Sequence, residues 1–153
     1  MQTIKQPDSS QFCTVACLAM ICGQSFNEML NEYRAVAGVK KRTALPPVNL
    51  KQTLSILNSH GKMLGLCVNW HKPISLDPTA TSSISVECML HEHDALLSVS
   101  GKKDSDVYHT VVWDCSVRQI RDPLPHLPET CELKIYKLIQ WMPVSDYTSL
   151  GWK

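Results

Sequence analysis

The stretch Gln11-Phe12-Cys13-Thr14-Val15-Ala16-Cys17-Leu18-Ala19-Met20-Ile21 reads as a buried helix that begins at a cysteine. Apolar residues fill almost every position from Val15 to Cys22. The polar run from Gln6 to Gln11, with Pro7, Asp8, Ser9 and Ser10, precedes them as turn and cap material. Cys13 then falls in the first turn, where unpaired backbone N–H groups and the positive end of the helix dipole favour a thiolate over a thiol. A core cysteine sits deeper in a helix, as Cys17 does. Cysteine is among the most buried residue types, so Cys13 becomes a nucleophile only if a histidine elsewhere in the chain is brought to it.

Working outward, Gly23 stops this helix and Ser25-Phe26-Asn27-Glu28 has the form of a capping box. A second helix is predicted from about Phe26 to Val36, ending at Gly38, with Met29, Leu30 and Tyr33 as its core-facing stripe. Asn49 with Gln52 caps a third helix, whose Leu50, Leu54 and Leu57 share one face and which ends at Gly61. From Lys62 to Trp70 the pattern becomes that of a strand. Ile74 to Ser83 is loop-like, and Ile84 to Leu90 fits a strand or a helical turn equally. Ala95–Ser100, Val107–Asp114, Val117–Arg121 and Leu133–Ile139 are short, apolar and rich in β-branched residues, with turn chemistry such as Gly101-Lys102-Lys103-Asp104 between them. Helices first and an antiparallel sheet after them define an α+β domain with the helices packed on one side.

The 153 residues suit one domain, 1–153, with a single core. Hydrophobic residues make up 44% and charged residues 19%, which places the chain among globular proteins rather than disordered tails. With a net charge of +1, nothing points to a nucleic-acid or membrane surface as partner. No apolar run reaches the length of a membrane span, and no charged-then-apolar leader opens the chain. Seven cysteines, an odd number without paired spacing, read as reduced thiols, so the expected location is the cytoplasm. Lys40-Lys41-Arg42 reads as a solvated turn.

The segment from Tyr108 to Pro123, YHTVVWDCSVRQIRDP, supplies the partners. A hairpin turning at Cys115-Ser116 sets Asp114 against Val117 and therefore His109 against Asp122. Cross-strand neighbours have Cβ atoms about 5 Å apart, within reach of an imidazole–carboxylate hydrogen bond. A cysteine nucleophile requires this pair: the imidazole takes the thiol proton and later protonates the leaving amine, while the carboxylate fixes its tautomer. Trp113 alternates in phase with His109 and reads equally as a cleft wall or as core.

Together, Cys13-Thr14-Val15-Ala16-Cys17-Leu18-Ala19-Met20, the helices that follow, His109-Thr110-Val111-Val112 and Asp122-Pro123 resemble the papain-like peptidases that cleave double-glycine leaders from bacteriocins. The chain is also similar to their stand-alone relatives in bacterial and phage genomes. The resemblance implies a papain-like fold with Cys13 as nucleophile, His109 as base and Asp122 as the orienting residue. It further implies an oxyanion hole built from the Cys13 backbone N–H and an upstream glutamine. Gln6 is the better match to that glutamine and Gln11 lies too close. The chain departs from the family in carrying Thr14, where Gly or Trp usually follows the nucleophile. Its glutamine is also one residue further away, and its His-to-Asp connection is compact.

The expected function is therefore that of a cysteine peptidase, working through a thioester acyl-enzyme on a peptide or protein substrate. Isopeptidase, deamidase and transferase variants would use the same residues. The alternative is a papain-like binding module of weak or absent activity, such as a phage or mobile element would direct at a host factor. The cluster Cys88-Met89-Leu90-His91-Glu92-His93-Asp94 lacks zinc-finger spacing and reads as a polar loop, so no metal and no cofactor is expected.

Overall fold

The structure, a computed structural model, describes residues 1–8, 12–40, 46–65, 68–75, 93–100, 108–131 and 137–147. Among them three helices precede the six strands of an antiparallel sheet, giving an α+β architecture. Helix α1 spans Cys13–Cys22, and every residue from Val15 to Ile21 is buried. A helix apolar on every side has to be covered on every side. Here α2 (Phe26–Ala37), α3 (Leu50–Ser59) and the sheet provide that cover. Gly23 ends α1 in the left-handed region at φ 66°, which lets its own N–H and that of Gln24 return to the carbonyls of Met20 and Ala19.

The capping boxes predicted at Ser25/Glu28 and Asn49/Gln52 are both formed. Met29 and Tyr33 are the fully buried part of the α2 stripe, and the Tyr33 hydroxyl donates to the Pro46 carbonyl at 2.7 Å. The buried face of α3 differs from the predicted one: Thr53, Ile56 and Leu57 form it. Leu50, on the side of Leu57 but two turns earlier, is 50% exposed, so the core does not reach the start of the helix.

The strands are β1 (Lys62–Leu64), β2 (Val68–Ser75), β3 (Asp94–Ser100), β4 (Tyr108–Asp114), β5 (Gln119–Arg121) and β6 (Lys137–Asp146). Their order is β1-β6-β3-β4-β5, with β2 also on β6. Helices cover the face that carries Leu96, Val112, Met142 and Val144. Leu97, Val99, Val111, Trp113, Ile120 and Leu138 form a second cluster with Leu127 and Cys131. Burial on both faces explains the unbroken apolar runs of β3 and β4. It also gives Trp113, 4% exposed, a core role.

Three boundaries depart from expectation. The strand predicted over Lys62–Trp70 is divided, and Gly65 marks the division. A Cβ there would lie 2.9 Å from Pro143 Cγ, and its N–H donates to the Pro143 carbonyl at 2.8 Å. The last strand runs on past Ile139 to Asp146, through Pro143. The β1 register sets Pro143 opposite Gly65, so the donor that Pro143 lacks is the one that would return the Gly65 bond, and the ladder loses that bond where β1 ends. The loop-like reading from Ile74 fails for Ile74 and Ser75, which belong to β2; 76–92 lie outside the described residues.

The hairpin register also differs. Asp114 pairs with Gln119, not Val117, because the connection is the four-residue turn Cys115 to Arg118 rather than a Cys-Ser turn. Arg118 adopts φ 54°, the left-handed conformation that closes the turn. The slip is two residues, one full period of a strand, so His109 and Asp122 keep a common face and meet diagonally.

Candidate active site

Cys13 is the first residue of α1, half-buried, with Phe12 at the N-cap position offering no side-chain acceptor. The N-terminal N–H groups of the helix are thus not taken by a side chain at Phe12, and Cys13 stands in the turn where the positive end of the dipole lies. The helix is seated on β4 by two contacts one turn apart. Thr14 Oγ1 and Thr110 Oγ1 lie 2.9 Å from each other, and the Cys17 thiol donates to the Thr110 carbonyl at 3.2 Å. His109, the residue before Thr110, hydrogen-bonds the Cys13 thiol through its imidazole.

On its other side, His109 Nε2 is 2.7 Å from Asp122 Oδ1. With Nε2 engaged, Nδ1 is the ring nitrogen left for Cys13. Asp122 is fully buried, and its Oδ1 also accepts the backbone N–H of Leu124 at 2.8 Å. The structure therefore brings Cys13, His109 and Asp122 into one line.

Electrostatics separate Cys13 from Cys17, Cys22 and Cys115. Burial pushes Cys22 up to about 12, holds Cys17 well above its usual value, and with Asp94 alongside lifts Cys115 to about 11. Burial acts on Cys13 in the same direction and is its largest single influence. Hydrogen bonds from His109, from the Thr110 N–H and from the Thr110 hydroxyl, with the imidazolium charge, overcome it and bring the thiol down to about 7. Burial likewise depresses His109, but Asp122 and the Cys13 thiolate raise it to about 9. The pair is consequently a thiolate and an imidazolium over the interval between these values.

The segment before α1 holds the Asp122 turn in place. Lys5 Nζ donates to the carbonyls of Asp122, Leu127 and Pro128 at 2.9, 3.0 and 3.0 Å. The Gln6 N–H donates to the Pro123 carbonyl at 2.8 Å, which lays the buried Gln6 alongside the turn that carries Asp122. Gln11 lies outside the described residues. At the far end of β4, Arg121 Nε donates to Asp114 Oδ2 at 2.6 Å and a second guanidinium nitrogen donates to Thr3 Oγ1. Asp114 is buried, yet Ser116 and Arg121 outweigh that burial and hold its carboxyl below the usual range.

Two contributors to the site were not legible in the sequence. Thr110 carried no signal beyond a hydroxyl residue directly after His109. Lys5 carried none, since a lysine in a polar N-terminal run reads as solvated. Among the described residues no group of three or more His, Cys, Asp or Glu side chains is arranged to hold a metal ion. Most of the Cys88–Asp94 cluster lies outside them. No single described helix is long and apolar enough to cross a membrane. Comparison with known protein families, with curated proteins and with solved structures finds no match.

Proposed function

We propose that this chain is a papain-like cysteine peptidase, similar to the double-glycine leader peptidases and their stand-alone relatives, that hydrolyses an amide bond of a peptide or protein. The observation that carries this reading is the Cys13–His109–Asp122 line, with the thiol lowered to about 7 and the imidazole raised to about 9. A helix N-terminal cysteine seated against a histidine strand of an antiparallel sheet is the arrangement the papain-like reading requires.

The Cys13 thiolate attacks the carbonyl carbon, forming the C–S bond and an oxyanion. The Cys13 backbone N–H, which has no intrahelical partner, and Gln6 are the assigned donors to that oxyanion. Collapse breaks the C–N bond, and the amine leaves with the proton from His109, which Asp122 keeps oriented through Nε2. Neutral His109 then takes a proton from water as the hydroxyl adds to the thioester. A second collapse releases the acid and restores the thiolate and imidazolium. Cys13, Cys17, Cys22, Cys115 and Cys131 are all unpaired, which suits a reducing compartment, and we place the protein in the cytoplasm.

The test is incubation with a peptide library and mass-spectrometric detection of new termini, alongside Cys13→Ala. Cleavage by the native chain that Cys13→Ala abolishes is the expected result. Peptide profiles identical for the two proteins would contradict the assignment.

A further inference from the structure

The residue after the nucleophile and the residue after the base are both threonines, and their hydroxyls are 2.9 Å apart. All three polar groups of Thr110 are directed at α1. Its carbonyl accepts the Cys17 thiol at 3.2 Å, and its N–H and hydroxyl both bond the Cys13 sulfur. A hydroxyl has one proton to give. A thiolate accepts only, so it draws the Thr110 proton toward itself. The Thr110 oxygen is then left as acceptor, and the Thr14 proton is the one that faces it.

We propose that Thr14 and Thr110 form a hydroxyl relay onto the nucleophile, in which Thr14 donates to Thr110 Oγ1 and Thr110 donates to the Cys13 sulfur. Thr110 is thereby a catalytic residue, because it touches the reacting atom. Thr14 is a positioning residue that acts through it. The relay stabilises the sulfur whenever it carries charge: as the resting thiolate, and again as the leaving group when the thioester breaks down. A thioester sulfur is a poor acceptor, so the stabilisation is absent from the acyl-enzyme and speeds its decay. Thr14, at a position where the resembled family usually has Gly or Trp, thus gains a chemical role.

This proposal rests on the reading of Cys13 as an activated nucleophile. Its test is the pH dependence of iodoacetamide alkylation at Cys13, resolved by residue, in the unsubstituted protein and in Thr110→Val, Thr110→Ser, Thr14→Val and Thr14→Ser. Valine keeps the shape and removes the hydroxyl, while serine keeps the hydroxyl. Thr110→Val is expected to raise the alkylation midpoint by about one pH unit, the size of one lost hydrogen bond to the charged form. Thr14→Val should raise it by less, both serine variants should restore it, and the double valine variant should match Thr110→Val alone. A folded Thr110→Val protein with an unmoved midpoint overturns the relay while leaving the nucleophile intact. Should Thr110→Val not fold, an unmoved midpoint in Thr14→Val overturns it equally. An unsubstituted protein whose Cys13 alkylates like an ordinary thiol overturns both the relay and the reading beneath it.

Discussion

At the Cys13 sulfur two influences of opposite sign meet. Burial favours the neutral thiol, and the donors from His109 and Thr110 favour the thiolate and prevail, bringing it from 9.0 to about 7. At His109 the same contest ends at about 9 instead of 6.5, because Asp122 and the thiolate outweigh burial. The two shifts have a joint consequence for stability. The raised His109 contributes stability that is present below pH 6.5 and lost as pH rises through about 9. The lowered Cys13 contributes stability that is present above pH 9.0 and lost as pH falls through about 7. Between those values folding moves a proton from one group to the other and binds none from solution, so the pair leaves stability flat with pH. Cys13→Ala removes the Cys13 slope and also the thiolate's share of the His109 rise, leaving Asp122 alone to hold the imidazole up against burial. Its urea-unfolding free energy should therefore decline as pH rises above 6.5, over a window that closes below about 9, against a level profile in the unsubstituted protein. A level profile in both would contradict the ion pair.

Elements are set by signals of different range. The Ser25 and Asn49 caps were legible because a capping box is local: four consecutive residues carry both halves of the hydrogen-bond exchange. The first-turn position of Cys13 was legible for the same reason. The His109–Asp122 contact was legible only in part, since the turn was placed on Cys115-Ser116 when four residues form it; period-2 geometry left the pair facing each other despite that error. The division of Lys62–Trp70 and the passage of β6 through Pro143 were not legible at all. They depend on the packing of Gly65 against Pro143, residues 78 positions apart in a chain of 153. Local caps and the site should also be separable by experiment. Ser25→Ala removes the α2 cap and should lower stability by about 1 kcal/mol in urea titration, with the Cys13 alkylation rate unchanged. A changed rate would show that the α2 entry reaches Cys13.

Across the whole molecule, residues before α1 reach over to the loop after β5. Thr3 donates to the Glu129 carbonyl at 2.6 Å, Lys5 gathers three carbonyls of 122–128, and Gln6 bonds Pro123. Asp122 and Gln6, the proposed orienting carboxylate and oxyanion donor, are thereby fixed to one another by chain segments more than a hundred residues apart in sequence. This closure was invisible in the sequence because a lysine bonding backbone carbonyls needs no particular partner residues. Lys5→Met takes the charged donor from all three carbonyls. Exchange of the Leu124 amide, which Asp122 Oδ1 accepts at 2.8 Å, should then accelerate by about tenfold or more, as expected for the loss of charge-assisted hydrogen bonds. Unchanged exchange would mean the turn holds itself.

The most direct measurement is residue-resolved alkylation at mildly acidic pH, comparing the unsubstituted protein with His109→Ala. Ordinary thiols have pKa values near 8.5 and react slowly there. Selective labelling at Cys13 that weakens sharply when His109 is removed is the expected result, because burial then acts without its main opponent. Labelling spread across the seven cysteines, or absent from Cys13, would contradict it.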